Sequence, residues 1–500
     1  MTHASFNADC PCCAPRSGPS RRQFLCSTAA GAVAAPAIAA SLIGPAEAAP
    51  KPARAGRPIL LRGGCVLSLD KVVGDFEKAD VLIDGSKISA VRPNIVAANA
   101  TVVDASNCIV MPGFVDTHRH MWQGFLRNVL PDGSLMDYIQ LVQRKFGANY
   151  TPEDNYAANL LTAIGCIDVG VTTVLDWSHI HNSPEHTDAS IKGLQESGVR
   201  AAFAYGTPQT TSGNWKEAPK HKYPGDIARL RKQYFNSDDQ LMTLFLASPL
   251  GTPEEVIGIW KNARDVGARI TIHCGTGPIG RSGFLEKLHK VEPLKSDTTY
   301  VHCCELNDTE WKLIKDSGGT VSIAGYVEML MGHGNPPTQR AIDFGVRPSL
   351  SVDVETTVPT DFFTQMRTIL SLQKSQAWVK QAAGDKAAPF LKARDVLEFA
   401  TIEGARANGL DKKVGTLTPG KEADIIMLRT DRLNVMPMNN AVGAVVTSMG
   451  PQNVDTVFIG GKVMKRNGQL VGVDMKRITK IGQEAQARAY KAAGVENKRI

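Results

Sequence analysis

The sequence predicts an α/β protein: a (β/α)8 TIM barrel joined to a small β-sandwich domain built from both ends of the mature chain. Three observations predict it. Eight apolar, β-branched runs recur through the middle of the chain with helical stretches between them, and strands alternating with helices indicate βαβ units on a parallel sheet. Short β-rich runs broken by Gly and Asp-Gly turns lie on both sides of that middle region. Several of the eight runs end on histidine or aspartate, and the C-terminal strand ends are where such a barrel gathers its chemistry.

The chain opens with a segment that should be set aside from the fold. Residues 1–48 carry the pair Arg21-Arg22, then Phe24 and Leu25, an Ala-rich weakly apolar stretch and a small-residue site at Ala46-Glu47-Ala48. A buried core helix is a poor reading of a stretch with this many Ala and Gly residues and no polar stripe. It reads as a twin-arginine export signal cut after Ala48. The expected mature protein is periplasmic, with the twin-arginine machinery as the precursor's partner and no membrane anchor after cleavage. Nothing later in the chain resembles a spanning helix. The "CPCC" cluster falls in the removed segment, and Cys65, Cys108, Cys166, Cys274, Cys303 and Cys304 lack zinc-ribbon spacing. They read mainly as small buried hydrophobes, with a periplasmic disulfide as the alternative.

The elements follow in order. Residues 49–110, the first part of the sandwich, hold "PILLRGGCVLSL", "ADVLIDGSKISAV" and the start of "TVVDASNCIVMPGF". Residues 111–410 hold the barrel runs "GFVDTHRH", "GVTTVLDWS", "GVRAAFAYGT", "LMTLFLASPL", "ARITIHCG", "TTYVHCC", "GTVSIAG" and "VRPSLSVD". Residues 411–475 return to the sandwich through "ADIIMLRT" and "VDTVFIGGKVMKRNGQLV", and 476–500 form a helical tail. Of the 500 residues, 43% are hydrophobic and 21% charged, an ordinary globular balance. The net charge of +7 is spread without a Lys/Arg block, which argues against nucleic acid as a partner.

The polar strand ends carry the function. His118 and His120 are two apart, so a strand points both rings the same way. They are either strand-end surface groups or two ligands of one metal ion. His273 ends the fifth run, His302 the sixth and Asp353 the eighth. A lone strand-end histidine is usually structural, but a barrel brings these five groups to one mouth. Imidazoles with a carboxylate suit one divalent ion, Zn2+ first and Fe2+ or Mn2+ also, with a position left for water. Bound zinc lowers the pKa of that water to about 7.

The segments "PGFVDTHRH", "VHCCELNDTEW" and "GTLTPGKEADIIML" resemble the amidohydrolase superfamily, in its cytosine-deaminase-like and chlorohydrolase-like branch, and the likeness covers nearly all of the mature chain. The resemblance implies that His118, His120, His273 and Asp353 hold one metal. It implies that Asp353 takes the proton from the attacking water, and that His302 polarises the substrate or steadies the hydroxide. Dinuclear relatives carry a carboxylated lysine on the fourth strand; "LMTLFLASPL" has no lysine, which favours a single metal. Deaminases of this branch place a proton-shuttling glutamate three residues after the fifth-strand histidine, where this chain has Thr276. A threonine hydroxyl is no general acid near neutral pH.

Other residues near the mouth compensate or line the pocket. Glu328 follows the seventh run and is read as an acid or substrate contact, against a solvated or arginine-paired loop residue. Glu355, near the metal aspartate, is expected to face outward or cap the next helix. Arg119, between the two ligands, should point away into a salt bridge. Trp122 and Gln123 are candidates for the pocket wall, Thr276 and His179 for substrate contact. Asp176, His179, His181 and His186 read as a loose loop with incidental histidines, with part of the substrate wall or a second cation site as the alternative. The expected protein is a metal-dependent hydrolase of carbon–nitrogen, non-peptide bonds in a small molecule, working as a homo-oligomer, with metal-activated hydroxide as nucleophile. Displacement from a heteroaromatic ring is the alternative, since a halide needs no proton on leaving. A non-catalytic periplasmic binding protein on a degenerate barrel is the rival from another class.

Overall fold

A computed structural model describes residues 57–208, 223–385 and 389–498. The export-signal reading of residues 1–48 lies outside the described residues.

Two sheets organise this part of the chain. The first is mixed and has nine strands drawn from both ends. Its leading strands are β1 (Ile59–Val66), β2 (Phe76–Asp84), β3 (Lys87–Arg92), β4 (Thr101–Asp104) and β5 (Cys108–Pro112). Alternation in "FEKADVLID" buries Ala79, Val81 and Ile83 on one face, and Gly85 at φ +57° makes the turn into β3. The join between the two ends is the antiparallel pairing of β5 with Ile425–Arg429, where Ile425 faces Pro112 and Arg429 faces Cys108. Val81, Ile83 and Ile88 share one core with Ile425, Met427 and Phe458, so both chain ends bury the same apolar face.

The second sheet is the barrel. Its parallel strands are β6 (Phe114–Arg119), β7 (Val171–Ser178), β8 (Arg200–Tyr205), β9 (Met242–Ser248), β10 (Arg269–Cys274), β11 (Thr298–His302), β12 (Thr320–Ile323) and β13 (Ser349–Leu350), neighbours in chain order. Each expected run supplies one strand. β6, β7 and β8 are buried along their whole length, as strands covered on both faces must be. The intervening helices start on local signals: Thr151 with Asp154, Thr252 with Glu255 and Asn307 with Glu310 each form reciprocal caps. Gly113 passes the chain from one sheet to the other. A Cβ there would lie 2.2 Å from the Thr172 side chain, so only glycine allows the approach.

The barrel closes between its first and last strands through a single bridge. The His120 amide donates to the Asp353 carbonyl and the Asp353 amide to the His118 carbonyl, both at 3.0 Å. Inside, the Thr117 hydroxyl meets Ser322 at 2.7 Å and Ser349 at 2.9 Å. A helix at Met475–Ala493 packs along helix Pro152–Asp168, with Arg488 paired to Asp154 at 2.7 Å. Among the described residues no helix is long and apolar enough to cross a membrane. The six cysteines named above are free, and Cys274 and Cys303 bring their sulfurs to 3.6 Å.

Candidate metal centre and active site

At the end of β6, His118 and His120 turn toward the barrel mouth, while Arg119 between them points away and pairs with Asp116 at 2.7 Å across an irregular stretch of the strand. At the barrel mouth, Nε2 of His118 lies 3.1 Å from Oδ1 of Asp353 and 3.1 Å from Nε2 of His273. Nε2 of His120 lies 3.2 Å from the same Asp353 oxygen. Ligands on a tetrahedral ion at about 2.0–2.1 Å stand about 3.3 Å apart, so this spacing fits a divalent cation. Nδ1 of His120 donates to the Trp177 carbonyl at 2.9 Å, which leaves Nε2 bare toward the cluster. Burial pushes His118 down to about 4 and His273 well below the ordinary imidazole value, keeping their lone pairs free. Burial alone would raise Asp353, but His118 and His120 beside it hold its carboxyl well below the usual range.

His302 stands at the edge of this cluster, Nε2 3.7 Å from Oδ2 of Asp353. Its other nitrogen meets Oε1 of Glu328 at 3.1 Å, and the same oxygen accepts the Ala324 amide at 2.8 Å. Burial lowers His302, yet the Glu328 hydrogen bond and the charge of Asp353 outweigh it and raise the ring above its ordinary value. The backbone is strained at this spot. His302, Cys303 and Asp353 have φ of 74°, 58° and 70°, the left-handed region that costs a side-chain-bearing residue about 1–3 kcal/mol.

The cluster opens into a cavity of about 490 Å³. Its walls are mainly apolar, with Leu135, Tyr138, Ile139, Phe284, Met331 and Val354. Thr276 and His179 line it as expected positions for substrate contact, His179 stacking on His120 with centroids 4.3 Å apart. Trp122 and Gln123 do not reach it. The short helical turn Met121–Gln123 carries them behind the wall, where the Trp122 indole donates to His179 at 3.4 Å and Gln123 to the Tyr138 hydroxyl at 2.5 Å.

Glu328, Glu355 and the mouth histidines His181 and His186 also differ from the sequence reading. Glu328 is fully buried and does not line the cavity; it is neither a solvated loop residue nor a group facing substrate, because its helix aims it at the back of His302. Glu355 turns inward rather than outward and pairs with Arg119 at 2.5 Å and Arg127 at 2.6 Å. The mouth histidines are not a loose group. His181 lies between the Ser178 carbonyl and the Thr187 hydroxyl, His186 between Ser183 and the Tyr150 carbonyl. Arg119 points away from the cluster into its ion pairs. One lining histidine escaped the sequence reading: His333, in the "MGHG" loop after β12. Its only signal was its place after the seventh strand. Burial pushes it down to about 3.

The model of the amidohydrolase family matches residues 109–464. Among curated proteins, the chain is 25% identical over 442 residues to the 5'-deoxyadenosine deaminase of Methanosarcina mazei, covering 85% of this chain and 97% of that one. It is 25% identical over 435 residues to the 5-methylthioadenosine/S-adenosylhomocysteine deaminase of Pyrococcus abyssi, covering 84% and 96%. Among solved structures, an adenosine deaminase from Xanthomonas campestris with bound zinc superimposes with a TM-score of 0.75 at 21% identity, covering 87% and 98%. A variant of the atrazine chlorohydrolase of Arthrobacter aurescens, complexed with zinc and atraton, superimposes with 0.75 at 20% identity, covering 86% and 100%. At that identity the two structures speak for the fold. The chain belongs to the amidohydrolase family, whose members depend on metal, and it is a hydrolase of that family.

Proposed function

We propose that this enzyme hydrolyses a carbon–nitrogen bond, other than a peptide bond, in a small molecule, using one divalent ion, zinc first and iron(II) or manganese(II) by the same donor chemistry. The observation that carries this is the convergence of His118, His120, His273 and Asp353, three of which line a cavity large enough for a small heterocycle. The ion would supply Lewis acidity and water activated near neutral pH. Asp353, held ionised, takes the proton from the attacking water. His302, fixed through Nδ1 by Glu328, aims Nε2 at the reacting centre and stabilises the charge that develops there. Glu328 positions His302 and touches no substrate.

Thr276 favours a second reading. With a hydroxyl where relatives of the deaminating branch keep a carboxylate, departure of a group that needs no proton, such as halide from a heteroaromatic ring, suits this site at least as well. Export to the periplasm through the twin-arginine route is part of the same proposal and rests on the pattern of residues 1–48. The test is metal analysis of purified protein followed by ammonia- and halide-release assays on aminated and chlorinated heterocycles. About one ion per chain with ion-dependent release supports the reading. Protein that retains no ion after reloading, or releases neither product across the panel, refutes it.

A further inference from the structure

Two barrel strands that bring a histidine to the site place a cysteine directly after it. Cys274 follows the proposed metal ligand His273 at the end of β10, and Cys303 follows His302 just past β11. Their sulfurs lie 3.6 Å apart, and the Cys303 amide donates to the Cys274 carbonyl at 2.9 Å. That backbone bond joins the two residues directly, which suits the roughly 4.4–6.8 Å α-carbon spacing of a disulfide. Cys303 is fully buried, while Cys274 is 4% exposed and lines the cavity that opens from the metal site. A small oxidant therefore reaches the pair through the cavity, Cys274 first, whereas a protein-sized oxidase has no access. Cys304 is the neighbour of Cys303 in sequence, but its sulfur turns to the His302 carbonyl at 3.8 Å.

We propose that Cys274 and Cys303 are a reversible, peroxide-responsive thiol pair whose closure loosens the metal site. The Cys274 sulfur attacks the peroxide, the O–O bond breaks, water leaves and a sulfenic acid remains. The Cys303 sulfur then attacks that sulfur; the S–S bond forms, the S–O bond breaks and a second water leaves. The two thiols give up two electrons and the peroxide accepts them. A disulfide is about 2.05 Å long, so the sulfurs must close by about 1.5 Å from their 3.6 Å separation. The strand ends have little slack to absorb this. A Cβ on Gly275 would lie 3.0 Å from the Cys303 backbone, the Glu305 amide is bonded to the Gly275 carbonyl at 2.8 Å, and His302 and Cys303 already sit in the left-handed region. Part of the movement passes to His273 and His302, one residue back on each strand, and a shift of about 1 Å is enough to spoil such a constellation. The pairing of the sulfurs stands apart from the hydrolase reading; its effect on the metal rests on that reading.

The test treats the zinc-loaded full chain with hydrogen peroxide, as wild type and as the variants Cys274→Ala and Cys304→Ala. Peptide mass mapping should show a Cys274–Cys303 bridge, lighter than the dithiol by its two thiol hydrogens, which dithiothreitol reopens. Cys304→Ala should still close the bridge. On closure, zinc affinity read with a competing chromogenic chelator should fall at least about tenfold and recover with dithiothreitol. Cys274→Ala should keep its zinc affinity through the same treatment. The wild-type map decides the pairing even where a variant fails to fold. Thiols that stay reduced in folded protein, a Cys303–Cys304 bridge, or irreversible sulfinic acid at Cys274 overturns the pairing. A bridge that leaves zinc affinity unchanged overturns the switch. Protein that holds no zinc before treatment overturns the hydrolase reading and the effect on the metal with it, while the map still decides the pairing.

Discussion

Replacing Arg119 with methionine tests how the site is held together. Arg119 lies between two converging histidines but on the opposite face of β6, fully buried. Its Nε donates to Asp116 at 2.7 Å, Nη1 to Glu355 at 2.5 Å and Nη2 to the Thr360 carbonyl at 3.0 Å. Methionine keeps most of the stem and removes every donor. Glu355 would retain Arg127 and the Thr360 hydroxyl. Asp116 would retain only the amides of His118 and Val352, at 3.2 and 3.3 Å. One buried carboxylate is then uncompensated, and breaking a buried pair in this way costs about 3–5 kcal/mol. The partners left on Glu355 point to the lower end, about 3 kcal/mol at pH 7. For a chain this long the urea slope is at least about 3 kcal/mol per M, so the midpoint should fall by up to about 1 M at unchanged slope. The deficit should also depend on pH. Burial already raises Asp116, partly offset by Arg119; without the arginine it rises further. A carboxyl raised in the folded state stabilises while protonated and loses that contribution as pH climbs through its folded pKa. Arg119→Met should therefore lag the wild type more at pH 8 than at pH 5. A deficit below about 0.5 kcal/mol at pH 8, or one independent of pH, refutes the reasoning.

Asp353→Asn removes the only carboxylate among the converging donors, and metal affinity measured by competition with a chelator should fall by more than the about 10–100-fold typical of a lost outer partner. Glu328→Gln keeps shape but weakens the hold on His302; kcat/KM should drop about 10–100-fold with metal content intact, and a variant of full activity would leave Glu328 without a positioning role. Burial raises Asp176 to about 8, against a partial offset from the Met121 amide. Its contribution is fully present below the unfolded value near 4 and lost as pH rises through 8, so wild-type stability should decline over that window by at most about 1.4 kcal/mol per pH unit. Asp176→Asn should flatten that decline, which parallel unfolding curves from pH 5 to 8 would read.

The barrel was legible because its strands are local apolar runs bounded by turn signals, and each run from "GFVDTHRH" to "VRPSLSVD" needs only its own composition to be recognised. The pair His118 and His120 was legible for the same local reason, a two-residue period. Placements set by distant partners were not. Glu355 looks like an outward or capping residue until Arg119 and Arg127, more than two hundred residues earlier, claim both of its oxygens. Trp122 and Gln123 follow the ligands directly, but a short helical turn takes them behind the wall. Much of that wall instead comes from Leu135, Tyr138, Ile139 and Gln143, whose side of the helical segment is chosen by the cavity and not by a motif. His333 had no spacing to mark it, and only the folded loop brings it to His302.

The strained residues show why closure of the barrel and assembly of the site are one event. Sequence flags the left-handed region only at glycine or asparagine, yet His302, Cys303 and Asp353 all adopt it. Asp353 is held there by the two 3.0 Å bonds to the His118 carbonyl and His120 amide. Among the described residues those bonds are the only backbone bridge between first and last barrel strands, beside the Thr117 side-chain bonds to Ser349 and Leu350, and they set how far the carboxylate stands from both histidines. The expected consequence is that opening the seam separates the ligands before the rest of the barrel unfolds. The comparison that isolates this uses Arg200, a buried arginine whose bidentate pair with Asp424, at 2.7 and 2.9 Å, ties the start of β8 to the mixed sheet. Arg119→Met and Arg200→Met each leave one buried carboxylate short of its partner, and their losses in stability should be of similar size, about 3–5 kcal/mol. Under rising urea, Arg119→Met should release its metal to a chromogenic chelator well before its unfolding transition, while Arg200→Met should hold it until the chain unfolds. If both variants release metal together with unfolding, the seam is no weaker than the rest of the barrel and the coupling argued here is wrong.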